Sequence, residues 1–449
     1  MVGARTGDGE RVTGIAMNNG SLLSVLDSAA AAPAPALLQE LRGRGRTRFE
    51  ALGLPNRGQE DWRFTRLRDI EDREFAPPPL IASRIDVASW RRDDAHVLVF
   101  IDGMFSPDFS QVDDLPDGVV ITNLLLATAS DSEIVKRHLG SLAPHDDHPF
   151  AALNTAVLRD GAVIHVPAGV AVERPIQLLF IAGSSTRATV CAPRILIVAG
   201  AGSGVTVEEH HVGTGGAALS CPVSEIVVEA GATVRHVIVQ DESPDTQHLA
   251  SRNVVLGEGS RYAAQAVSLG GALVRTDIQV VLGGEDAEAS LDGLYLTDGD
   301  QQADSHLTLR HAAPNCRSHQ LYKGILAGSS RAVFTGRIVV EQDAQKTDAT
   351  QSNRNLILSD DAVAHSNPQL EIFADDVRCT HGSTVGRLDD DAVFYLRSRG
   401  IGRDEARRLL TLAFAGEVLD RIPVEALRDD LGRRVSEKLA LIERSGNEA

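Results

Sequence analysis

From about residue 151 to residue 388 the hydrophobic pattern of this chain keeps a period of two and never settles into a helical one. Ile164 and Val166 flank His165; Ile176, Leu178 and Phe180 alternate with Gln177 and Leu179; Ile278, Val280 and Leu282 alternate with Gln279 and Val281. Residues two apart share a face of an extended strand, so these segments read as strands. Turn glycines at Gly204, Gly231, Gly259 and Gly284 punctuate them at intervals of 27, 28 and 25 residues, the range of repeat architectures. Later turns, at Gly328-Ser329 and Asp360-Asp361, are more loosely spaced. Short strands, one turn per coil and no intervening helix predict a β-solenoid in which each coil buries alternate residues against the next. A β-sandwich, or a pair of them, is the rival, because it too is built from short strands at regular spacing.

The flanks are helical. Leu37, Leu38, Leu41 and Phe49 predict a helix starting near Pro35, after the Ala/Pro run 29–36. His96 to Phe105 reads as a strand turning at Asp102-Gly103, and 131–142 returns to a helical pattern. Past Gly402, Ala406, Leu409, Leu410, Ala413, Phe414 and Leu419 form one stripe, with Leu412 and Val418 beside it. Val424, Leu427, Leu431, Val435, Leu439 and Ile442 form another, behind a first-turn Pro423. The expected organisation is a disordered tail over 1–30, an N-terminal helical region with a short strand segment over 31–150, the β core over 151–395 and a helical region over 396–449. Met17 is a more plausible translation start than Met1, because 3–14 is rich in glycine and charge. The C-terminal helices either cap the solenoid or dock a partner.

The formal charge of -18 would repel phosphate backbones and argues against general nucleic-acid binding. No apolar run is long enough for a membrane span, and 1–19 lacks the apolar core of a secretory signal. Cys191, Cys221, Cys316 and Cys379 include no C-x-x-C pair, which argues against a disulfide framework and a closed zinc site and predicts a reduced, cytoplasmic location. There is no Gly-Lys dipeptide and hence no Walker A loop, no G-x-S-x-G elbow and no H-E-x-x-H.

What chemistry remains is Cys379-Thr380-His381, read as the end of the strand carrying Leu370 and Ile372. Strand alternation puts the thiol and imidazole on one face, about 6.5–7 Å apart. These are ligand types used by iron and zinc, but two residues are half of a tetrahedral shell. On spacing alone a buried thiol beside an unrelated histidine fits as well. His311, Cys316 and His319 read as coil residues with satisfied hydrogen bonds, and His210-His211 as a solvated turn.

The run PQLEIFADDVRCTHGSTVGRLDDDAVFYLRSRG, Pro368 to Gly400, resembles the SufD branch of the SufB/SufD family of iron-sulfur cluster assembly scaffold proteins. Similar to the same family are RAVFTG at Arg331 to Gly336 with Lys323 upstream, Leu153-Asn154-Thr155-Ala156 before Asp160-Gly161, and LPNRGQEDWRFTRL at Leu54 to Leu67. The resemblance implies a right-handed parallel β-helix flanked by N- and C-terminal helical regions. It implies a non-catalytic scaffold in a complex with SufB and the ATPase SufC, SufC being held by the C-terminal helices through Leu409, Leu410, Phe414 and Leu419. It also implies a transient iron-sulfur cluster shared with SufB, with His381 as ligand and Cys379 as its neighbour; for the isolated chain a homodimer stays open. A SufB-like paralogue is the alternative within the family; its C-x-H element is usually followed by an acidic residue, where this chain has Gly382. A carbohydrate-active β-helix is the alternative outside it, disfavoured by an aromatic content of 4%.

Overall fold

The structure is a computed structural model and describes residues 20–77, 85–143, 147–183 and 185–448, with side chains to residue 442. It is mainly β: a solenoid of about eight turns between N-terminal and C-terminal helices. Residues 1–19 of the expected tail lie outside the described residues. The rest of that tail is not a coil, because Gly20–Ala31 forms helix α1, whose Leu22, Val25, Leu26 and Ala29 are buried.

Each full coil gives one strand to each of two sheets. One sheet runs through Thr233–Asp241, Arg261–Ser268, Glu288–Thr297, Arg317–Leu326 and Asp348–Ile357 to Arg378–Gly386. The other runs through Gln247–Leu256, Leu273–Leu282, Gln302–His311 and Arg331–Val340 to Val363–Ile372. All of these pairs are parallel and in register, so like stacks on like. Ile164, Ile197, Ile226, Val254, Val280, Leu309, Ile338 and Leu370 occupy equivalent positions in successive coils.

The coils are joined at a corner that needs a left-handed backbone. Gly202, Gly231, Gly259, Asp286, Asn315 and Lys346 all have φ between 58° and 68° there. Each donates its N–H to a carbonyl of the following coil, for example Gly231 to Glu258 at 2.7 Å and Asn315 to Gln345 at 2.9 Å. Glycine takes this conformation without a Cβ penalty and Asn or Asp at low cost, which is why the glycine signal fades after Gly259. Two expected turns shift accordingly: Gly204 opens a strand, the corner lying at Gly202, and Asp286 serves in place of Gly284.

The solenoid begins earlier than expected. The strand His96–Ile101 pairs in parallel with Ile176–Ala182, so the core starts inside the region read as N-terminal helical. Periodicity hides this because all six residues of that strand are buried on both faces. Antiparallel strands close this end: Met104–Phe105 covers His96–Ile101, and Val120–Asn123 covers Gly161–Val166.

Helices bury the outer faces. Helices α2 (Ala36–Leu52), α4 (Leu124–Ala129) and α5 (Glu133–His138) pack on the early coils at Val163, Leu196 and Val198, while α1, α3 (Arg68–Asp72) and α6 (Pro149–Ala156) share a cluster that reaches Leu249 and Leu273. After the last coil come α7 (Asp390–Arg397), α8 (Arg403–Leu419) and α9 (Glu425–Glu448). Ala415, Val418 and Leu419 of α8 and Leu427, Leu431, Val435 and Leu439 of α9 pack on Val237, Val239, Val267, Leu269, Leu294 and Leu296. Among the described residues no helix is long and apolar enough to cross a membrane.

The family-like segments are anchors. Asn154 on α6 donates to the carbonyls of Pro193 and Cys221 and accepts from Arg194 Nη1 at 3.0 Å. Arg194, fully buried, is paired with Glu225 at 2.7 Å, and Glu225 accepts the backbone N–H groups of Gly140, Leu142 and Ala143. Asp160 accepts from the Asn123 side chain and from Leu125 and Gly161 N–H, while a Cβ on Gly161 would lie 1.8 Å from the Arg194 carbonyl oxygen. In the Leu54–Leu67 segment, Arg275 lies 3.7 Å over the Trp62 ring and donates to the Asp61 carbonyl, and Thr65 donates to Asp304 at 2.6 Å. Replacing Glu225 by alanine leaves a buried guanidinium without its counter-charge and should cost about 3–5 kcal/mol, read as a lower urea midpoint at unchanged slope.

Candidate functional site

The open end of the solenoid carries the C-x-H element. The strand with Leu370 ends at Ile372, the chain turns over 373–377, and Cys379 and His381 belong to the next strand, Arg378–Gly386, in the other sheet. They are therefore not on the Leu370 strand, as its period had suggested; the Asp375-Asp376 turn separates them. Cys379 lies opposite Ala349 and His381 opposite Gln351. Strand alternation still gives them one face.

Both final strands are terminal in their sheets, so one edge of each has no strand beside it among the described residues. Unlike the first coil, this end has no antiparallel strand beside it among the described residues. Its side chains are exposed: His381 lies on the surface, while Cys379 is half-buried against Ile338, Ala349 and Ala374. Ile372, Phe373, Val385, Phe394 and Tyr395 are exposed around the same end, Phe394 by 70%. An unpaired edge with exposed apolar side chains is a surface for strand pairing with another chain.

The chemistry of the two ligand candidates differs. Burial, and then the neighbouring Asp348 carboxylate, push the Cys379 thiol above its ordinary range, so it is protonated at neutral pH. A thiol must lose that proton to bind metal, whereas a neutral imidazole is ready. Cys191, Cys221 and Cys316 are buried, Cys221 with its thiol pushed up to about 12 by burial. His311 meets Ser318 Oγ at 2.9 Å, and Cys316 Sγ donates to the Gly284 carbonyl at 3.2 Å, so these two act within the coils.

A family model of the SUF system FeS cluster assembly SufBD core domain matches residues 180–414, and one of the SufBD protein N-terminal region matches 24–178. This chain belongs to the SufBD family of iron-sulfur cluster assembly proteins. It is 35% identical to a SufBD family protein of Synechocystis over 86% of this chain and 88% of that one. It is 30% identical to the SufD of Escherichia coli, over 86% and 90%, and 31% identical to the chloroplastic protein ABCI7 of Arabidopsis thaliana, over 92% and 88%.

The α8 residues separate into two groups. Leu409 is exposed and Leu410 half-buried, so both reach the surface. Phe414 is half-buried under Lys323, whose Nζ lies 4.2 Å from the ring and donates to the Phe414 carbonyl. Leu419 is buried against the sheet, whereas Leu409 is not. The helix has two apolar sides because one of them covers the outer sheet face. His210 and His211 are likewise not a solvated turn: both are buried within Gly204–Gly213. The signal was present in Val205, Val207, Glu209, His211, an alternation that continues straight through the polar residues. Cys379, half-buried where the others are fully buried, should be the one thiol alkylated by iodoacetamide in the native chain, with a rate still rising above pH 9 because its folded pKa is raised.

Proposed function

We propose that this chain is a non-catalytic scaffold subunit that works with a SufB-type partner and a SufC-type ATPase to build a nascent iron-sulfur cluster and hand it on. The observation that carries this reading is an exposed imidazole, His381, on an uncapped terminal strand of a family whose members assemble such clusters. The cluster is cargo. An imidazole at a subunit boundary, with a protonated thiol two residues away, is an incomplete shell that a second subunit would finish and that separation would break. His381 is the primary ligand in this scheme; Cys379 joins only if metal displaces its proton.

The edges of Val363–Ile372 and Arg378–Gly386 would pair with the partner solenoid, the exposed Phe373 and Val385 closing apolar surface beside the site. In the absence of that partner the same edges would pair with a second copy. Nucleotide hydrolysis falls to the SufC-type subunit, docked on the outward side of α8 at Leu409 and Leu410. Changing His381 to alanine should leave thermal stability unchanged, because the side chain is exposed, and lower anaerobic cluster yield in the three-protein mixture at least about tenfold. Unchanged yield would remove His381 from the site. Leu409→Asp should abolish co-purification of the SufC-type ATPase without shifting the melting midpoint; retained binding would move the docking surface off α8.

A further inference from the structure

Inside the solenoid, three strands turn polar side chains inward where apolar ones would cost less. After Val205 and Val207 come Glu209 and His211; with Val234 and Ile238 alternate His236, Gln240 and Glu242; on the next strand, ahead of Val254 and Leu256, stand His248 and Arg252. All of these polar residues are buried. We propose that His211, Glu242 and His248 form an interior binding site for one divalent first-row transition-metal cation.

Four observations carry it. Each of the three residues has a ligand atom within 4.8 Å of the other two, and among the described residues no other group of three His, Cys, Asp or Glu meets that distance. Bonds of about 2.0–2.1 Å put tetrahedral ligand atoms roughly 3.3 Å apart, so small side-chain rotations close the shell. His248 Nδ1 and Glu242 Oε2 already stand 2.7 Å apart, yet this contact is not aligned as a hydrogen bond.

Next, His211 has the support that metal-binding histidines have. Its Nε2 meets Glu209 Oε1 at 2.7 Å, and Glu209 is held in turn by Arg252 Nη2 at 2.9 Å. A carboxylate behind one ring nitrogen fixes the tautomer and leaves a lone pair on the other. His211 also stacks on Phe180, with ring centroids 5.0 Å apart and planes within 14°, which fixes the ring's orientation.

Third, the surroundings hold spare donors. Gln240 is buried, its Nε2 donates to Glu242 at 3.1 Å, and its Oε1 has no hydrogen-bond partner. In the turn leading to His248, Thr246 Oγ1 and Gln247 Nε2 are buried without partners as well. Glu209 is paired with the Arg252 guanidinium at 2.9 Å, whereas the buried Glu242 meets His248 and Gln240, and a bound cation would balance its carboxylate.

Finally, there is a way in. Glu242 and Gln247 form part of the wall of a cleft of about 910 Å³ between the coils, the N-terminal segment and α9. Its rim is predominantly acidic, with Asp69, Asp241, Asp298, Asp300 and Glu437 against Arg66, Arg434 and Lys438, which favours cation entry. His211 lies on Gly204–Gly213, Glu242 just past the end of Thr233–Asp241 in the following coil, and His248 on Gln247–Leu256, so a bound ion would tie consecutive coils together through side chains.

The test uses the full chain, stripped with chelator and titrated with Co2+ alone. One equivalent should bind with visible d–d absorption, and His381→Ala should bind equally well, which separates this site from the terminal strand. Glu242→Gln should weaken binding at least about 100-fold. Anomalous scattering at the cobalt edge from soaked wild-type crystals should place the ion between His211, Glu242 and His248, a readout that stands even if the variant does not fold. Absence of stoichiometric Co2+, an ion located elsewhere, or binding lost in His381→Ala would each overturn the proposal.

Discussion

Parallel, in-register pairing between successive coils is the constraint on which everything else here rests. Every interior strand has its backbone groups satisfied by the coil before and the coil after, so the structure can end only where something else takes over that role. At the first coil, short antiparallel strands do so. At the last coil nothing among the described residues does, and the C-x-H element sits there. The candidate site and the free edges share one location: both final strands have an edge with no strand beside it among the described residues, and the last also has an exposed face.

The same stacking explains the motifs. Asn154, Glu225 and Arg194 fasten α6 to the early coils, Trp62 and Thr65 fasten the N-terminal segment to Arg275 and Asp304, and Lys323 fastens α8 to the opposite sheet. Their work is to cover outer faces that a bare solenoid would leave greasy.

Much of the architecture was legible in the sequence because period two is a direct image of strand geometry. Ile278, Val280 and Leu282 were read as strand and are strand. What was missed is membership: His96–Ile101 was read as a strand and is one, but burial of all six residues gave no sign that it joins the solenoid sheet. Leu419 is a related case, since an apolar side of α8 does not say in sequence whether it meets the sheet or the surface. Cys379 and His381 were found by pattern, but their strand was misassigned because a two-residue acidic turn leaves almost no trace in a hydrophobic profile. His211 was missed because glycines nearby outweighed the alternation running through it.

One end closed and one end open has a further consequence. A solenoid with two free ends is a monomer unit for an unlimited fibre, since each copy can receive one neighbour and template the next. Here the two ends differ: Met104–Phe105 and Val120–Asn123 are short and antiparallel, whereas Val363–Ile372 and Arg378–Gly386 are full-length and parallel. The chain thus offers a full-coil template at one end only, which sets a polarity on any growth through its sheet edges.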